Sequence, residues 1–283
     1  MIRLDAASFL LQWAVGGLFF TWLTTRRREV GLGYGWLMRV VFGTFALASI
    51  LVGQAIGPVI VRDVAAGGVV LATGWALAVS IRRKAAGVAG QRERVEKRTA
   101  RVAAMTGIDR DEQRFDKAAA EFPPALDLVA PAMGLVGLVA AGIDAGSPAW
   151  LSVLRIVVGA AFLGSVSDAM LLGHWYLVQP GLARGPLLEL VRWTGWLWPF
   201  EVGAMLLPTG MVSVLNGNID DSYGGILGWM WATCAVTTIG LVVVTRAALK
   251  ERQYSAVMAA TGLLYLAILT AFGTDLVARA VLA

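Results

Sequence analysis

The 283-residue chain is 58% hydrophobic and only 15% charged, with a formal charge of +5 and a mean hydropathy of +0.70. Soluble domains average roughly 45–50% apolar and about 25% charged residues, so this composition belongs to a membrane and excludes a disordered chain, a nucleic-acid-binding domain and a disulfide scaffold. A single cysteine, Cys234, and a single histidine, His174, exclude an internal disulfide, a thiolate metal cage and a haem held by two histidines of this chain.

About 20 apolar residues cross the hydrocarbon core. Windows of that kind occur eight times, at roughly 6–24, 36–57, 59–81, 126–143, 150–178, 187–208, 225–246 and 254–280. The runs are continuous and do not alternate with period two, so they predict helices and not barrel strands. The expected fold is an all-α polytopic membrane bundle of about eight transmembrane helices with both termini outside. It divides into a three-helix segment (1–81), a basic cytoplasmic insertion (82–125) and a five-helix segment (126–283).

The first window is followed by Arg26, Arg27 and Arg28. A cleaved signal carries its basic residues before the apolar stretch, so a retained anchor is expected here. Arg82, Arg83 and Lys84 follow the third window, Arg184 lies between the fifth and sixth, and Arg246, Lys250 and Arg252 separate the last two. With eight spans all of these fall on one side, and the positive-inside tendency makes that side cytoplasmic.

The insertion holds eleven Lys or Arg and seven Asp or Glu, a local balance of +4. Gln91–Ala104 favours helix, with Glu93 and Lys97 spaced to pair along it. A second short helix is expected from Asp109 to Phe122, ended by Pro123 and Pro124. Such a segment either lies on the anionic inner leaflet or docks a cytoplasmic partner.

No internal repeat is evident. Ala130-x3-Gly134, Gly137-x3-Ala141, Ala160-x3-Gly164 and Gly228-x3-Ala232 have the small-residue spacing that lets helices approach closely in lipid. Arg39, Asp127, Arg192 and Arg279 stand near predicted helix ends, where long side chains snorkel. Arg62, Asp63 and Asp275 are expected at the outer interface, and Arg155 is placed to pair with one of those acids.

Two acids fall deeper, and an ionisable group inside a membrane helix is a functional candidate by default. Asp168 lies ten residues before Val178, or about 15 Å of helix rise. Glu201 follows the Trp-rich run from Arg192 to Phe200, in which Pro199 leaves the carbonyl of Gly195 without its helical donor. Both are candidates for proton relay or coupling.

Met170-x3-His174-x2-Leu177 resembles the loose pattern of an aliphatic residue, histidine and Leu or Thr described for quinone sites. There His174 would bond a quinone carbonyl, with Trp175 and Tyr176 as an aromatic wall. His174 and Asp168 are six positions apart, about 240° around a helix, and do not share a face.

No Walker loop, G-x-S-x-G or H-E-x-x-H occurs. Asn216-x-Asn218-x-Asp220 lacks the later glycine and glutamate of a calcium loop. The sequence thus leads to three classes. The first is a membrane subunit of a bacterial electron-transfer complex, with quinone as the expected ligand. The second is an accessory subunit without chemistry of its own. The third is a proton-coupled transporter or flippase using Asp168 and Glu201. The expected partners are the lipid of the bacterial cytoplasmic membrane and other membrane subunits, and no nucleic acid.

Overall fold

Inside lipid an apolar run must bond its own backbone, and each of the eight runs is helical in a computed structural model that describes residues 5–106, 115–116, 118–179 and 181–282. The helices are α1 (Ala6–Thr25), α2 (Leu32–Ile56), α3 (Ile60–Arg82), α4 (Ala89–Thr106), α5 (Val129–Ala145), α6 (Ala149–Val178), α7 (Gly185–Leu206), α8 (Gly210–Leu215), α9 (Ile226–Ala248) and α10 (Tyr254–Val281). No strand occurs among the described residues.

Seven helices are long and apolar enough to cross a membrane: α1, α2, α3, α5 with the 3₁₀ turn before it, α6, α9 and α10. The eighth expected span, α7, is 22 residues long, but every 18-residue stretch of it contains Glu189, Arg192 and Glu201.

The bundle has two flanks. On one, α2, α3 and α5 pack in sequence; on the other, α7, α9 and α10 do. They meet along α1 and α6, which pack on each other and on both flanks. This central crossing depends on two glycines. A Cβ on Gly16 would lie 1.8 Å from the Ala160 carbonyl oxygen, and one on Gly164 would lie 2.2 Å from the Gly16 carbonyl carbon. The Ala160-x3-Gly164 spacing is therefore the place where two backbones touch.

The helices alternate in direction, so the basic loops gather at one end. There Arg184 donates to the carbonyls of Leu249, Arg252 and Gln253 beyond α9, at 3.2, 3.0 and 3.0 Å. Arg26 reaches Glu189 of α7 at 2.6 Å. The insertion folds back onto the same end. The N–H of Gly90 donates to the Arg28 carbonyl at 2.9 Å, and Glu121 takes Arg28 at 2.5 Å and also Arg92. The Glu93–Lys97 pair forms at 2.5 Å on the exposed face of α4.

The second insertion helix is not found where it can be judged. Residues 107–114 and 117 lie outside the described residues, and the described residues from Phe115 to Phe122 are non-helical. The physical reason is competition for backbone groups. The Asp116 N–H donates to the Ala85 carbonyl at 2.9 Å, and Arg83 takes the Glu121 carbonyl at 2.9 Å.

Candidate functional site

A charge at membrane depth is costly unless it is paired, and this chain pairs most of its buried charges fully. Arg39 holds Asp127 through two bonds, Nε to Oδ1 at 2.8 Å and Nη2 to Oδ2 at 2.7 Å, with the Phe122 ring 4.5 Å below the guanidinium. Arg62, completely buried, bonds Asp63 at 2.8 Å, the Gly57 carbonyl at 3.0 Å and the α1 cap Asp5. Gln54 gives Asp63 a further bond at 2.9 Å. These residues, expected to snorkel or to sit at the interface, stand near helix ends and are buried in pairs that clamp loops to helices.

A different arrangement occupies the meeting point of α1, α6, α7 and α10. Asp275 and Arg279 are four apart and so share one face of α10. Arg279 donates from Nε and Nη2 to Asp275 at 2.8 and 3.0 Å and from Nη2 to Gln12 Oε1 of α1 at 2.5 Å. Gln12 Nε2 returns a bond to Asp275 at 3.4 Å. Space for this cluster comes from Gly159 of α6, where a Cβ would meet Gln12 Nε2 at 2.6 Å and Asp275 Oδ1 at 2.8 Å. Asp275 and Arg279 are thus enclosed between helices, whatever their depth along the bundle.

Beside the cluster stands Glu201, wholly buried, with no hydrogen-bond donor to either carboxylate oxygen. Its carboxyl lies against that of Asp275, with which a proton on Glu201 would be shared, and the charges of Arg279 and Arg155 also act on it. Arg155 forms none of the expected acid pairs. Its Nε and Nη2 donate to the carbonyls of Ala204 and Leu207, three and six residues beyond Glu201, at 3.1 and 2.6 Å, while Nη1 has no partner. With every member ionised the two arginines and two acids sum to zero; a proton on Glu201 makes the set +1.

Asp168 forms a second station, nearer the basic end. Thr21 and Tyr34 donate to its Oδ1 at 3.2 and 3.1 Å, and its Oδ2 is buried without a donor. Along α6, nine residues separate Asp168 from Gly159, about 13 Å of rise. In that interval Ser165 accepts from Thr194 of α7 at 3.1 Å. Thr194 shares the buried face of α7 with Glu201, seven residues on.

The structure does not gather the three residues of the quinone reading about one space. His174 is exposed on the outer surface of the bundle, its Nδ1 3.0 Å from the Tyr265 hydroxyl of α10. Trp175 turns inward against Tyr34, ring centroids 6.0 Å apart, and its Nε1 is buried without a partner. Tyr176 is buried and donates to the Ala183 carbonyl at 2.5 Å. Consecutive helix residues lie about 100° apart, and these three follow that divergence.

Gln12, Tyr34 and the Asp275–Arg279 pair are the members that sequence reading passed over. The i,i+4 spacing of Asp275 and Arg279 was a usable signal. Gln12 and Tyr34 carry none, because their importance comes from helices far apart in sequence. No group of three or more His, Cys, Asp or Glu placed to hold a metal occurs among the described residues. Asp221 instead turns its carboxylate to the backbone N–H groups of Tyr223, Gly225, Leu227 and Gly228 at the start of α9, at 3.0, 2.8, 2.8 and 3.4 Å. Comparison with known protein families, with curated proteins and with solved structures finds no match to this chain.

Proposed function

We propose that the protein is a proton-coupled secondary transporter of a bacterial cytoplasmic membrane, with Glu201 and Asp168 as the groups that take up and release the coupling proton. One observation carries this reading. Three buried carboxylate oxygens, both of Glu201 and Oδ2 of Asp168, have no donor, whereas Asp63, Asp127 and Asp275 are bonded on both oxygens. A buried acid left without a donor destabilises the fold, and a purely structural acid would be paired as its neighbours are. Retention of such a group fits a role in which its protonation changes.

The topology we propose has eight crossings, with both termini outside. In support, α7 runs from Arg184, bonded to the loop after α9, to Ala204, bonded to Arg155 near the start of α6. At 22 residues it is about 33 Å long, enough for the hydrocarbon core. Its charges face the protein at Glu201 and the basic end at Glu189 and Arg192. The two acid stations then lie toward opposite leaflets, and the bare Gly16–Gly164 contact is the pivot about which α1 and α6 tilt to expose one or the other.

The test is proton flux in proteoliposomes under a potassium-diffusion potential, read by an internal pH dye. Wild type is expected to acidify or alkalinise the lumen according to the sign of the potential. Glu201→Gln and Asp168→Asn are expected to abolish the flux. Flux that persists unchanged in both variants removes the proposal.

A second reading, an electron-transfer subunit that touches quinone through His174, is favoured by the His174–Tyr265 contact on the outer surface of the bundle. It expects quinone to co-purify with the native protein and to be lost in His174→Ala. Equal quinone content in the variant would dismiss it.

A further inference from the structure

We propose that the exposed face of α7 is a binding site for an anionic phospholipid of the leaflet at the basic end of the bundle. The observation is an unpaired cation set above an aromatic groove. Glu189, Arg192, Trp193, Trp196, Leu197 and Phe200 line a groove of about 400 Å³. Trp196 is 70% and Phe200 61% exposed, and Trp193 is 40% exposed with its edge against Phe20 of α1, centroids 6.2 Å apart. From Glu189 to Phe200 is eleven residues, about 16 Å of helix. This is the depth of one leaflet.

The charge at the mouth of the groove determines the headgroup. Arg192 is exposed and forms no ion pair among the described residues. It lies seven residues inside α7, about 10 Å below the helix start. A guanidinium facing lipid at that depth needs an anion, and it reaches one by extending toward the headgroups. The chain does not supply that anion. The neighbouring carboxylate, Glu189, already accepts Arg26 at 2.6 Å and Arg27 at 3.3 Å. Three arginines against one glutamate leave the mouth of the groove at +2, which a zwitterionic headgroup does not neutralise and an anionic one does. A phosphate fits the bidentate guanidinium, while an acyl chain runs down past Trp196 to Phe200. This inference does not depend on proton coupling.

The experiment uses delipidated full-length protein titrated with phosphatidylglycerol and, separately, with phosphatidylcholine of the same acyl chains, bound lipid being counted by native mass spectrometry. Wild type is expected to prefer phosphatidylglycerol. Arg192→Gln is expected to reduce that preference about fivefold, the effect of roughly 1 kcal/mol per basic residue at the surface. Arg246→Gln, which removes an exposed cation at the same end of α9, is expected to leave it unchanged. Phosphatidylglycerol brominated on its chains should quench tryptophan fluorescence less in Trp196→Phe than in wild type. No preference in wild type, a preference retained in Arg192→Gln, or equal losses in Arg192→Gln and Arg246→Gln would each overturn the site. So would a protein dimer that covers Trp196 and blocks the quenching.

Discussion

Two neighbouring acids, Glu201 and Asp275, are equally buried yet should respond oppositely to loss of charge. Asp275 accepts from Arg279 at 2.8 and 3.0 Å and from Gln12 at 3.4 Å. In Asp275→Asn the buried Arg279 guanidinium loses its counter-charge and one of two acceptor oxygens there, and keeps only neutral acceptors, the amide oxygen and Gln12 Oε1. Breaking a buried ion pair on one side costs about 3–5 kcal/mol, so this variant should lose several degrees of melting temperature. Glu201 has no donor on either oxygen, and its one side-chain hydrogen-bond neighbour is the Asp275 carboxyl, to which the amide of Glu201→Gln can still donate, so this variant should stay within about 1 kcal/mol of wild type. The single thiol offers an assay. Cys234 of α9 packs at α10, where a Cβ on Gly273 would lie 2.5 Å from its sulfur. A fluorogenic thiol dye should therefore report separation of these helices on heating. If Glu201→Gln falls as far as Asp275→Asn, Glu201 is a structural partner and the reasoning about its free oxygens is wrong.

Three further outcomes follow from the geometry. Gly164→Val should separate α1 from α6, lowering stability and stopping proton flux together, whereas Gly74→Ala, with nothing within 4 Å of the added Cβ, should be silent; normal flux in Gly164→Val would refute the pivot. Arg39→Leu should cost about 3–5 kcal/mol by stranding Asp127, and Arg39→Leu with Asp127→Leu should recover most of it; thermal melting of the two variants decides. The N–H of Gly225, foremost among four backbone donors, holds the Asp221 carboxyl below its usual range. A pKa depressed by folding contributes stability that is present above the unfolded value of about 3.9 and is lost as pH falls through the folded value. Hydrogen exchange at the start of α9 should therefore rise in acid for wild type, and Asp221→Asn should flatten that dependence; identical acid profiles would contradict the cap.

Much of the fold was legible in the sequence because lipid imposes it. A continuous apolar run has one way to bond its backbone, and every expected window is a helix. The charges were harder to place. Counting residues from a helix end lets Arg279 snorkel and puts Asp275 at the outer interface, but whether a side chain faces outward or toward other helices depends on which helices lie beside it. Asp168 and Glu201 were recognisable as buried acids from depth alone. Their partners were not, since Tyr34 and Thr21 reach Asp168 across more than a hundred residues of chain. The small-residue spacing at Ala160 and Gly164 pointed correctly to close approach without naming Gly16 as the other side. In the insertion the first expected helix forms as α4, whereas the described residues between 115 and 122 give backbone groups to Ala85 and Arg83, contacts that sequence does not reveal.

The most direct measurement is proton movement through purified wild-type protein in sealed liposomes, with Glu201→Gln and Asp168→Asn reconstituted at equal density. Potential-driven flux in wild type, absent from both variants while their melting temperatures stay near wild type, is the predicted result. Wild-type liposomes no more permeable to protons than empty ones, across both signs of potential and a range of pH, would contradict it.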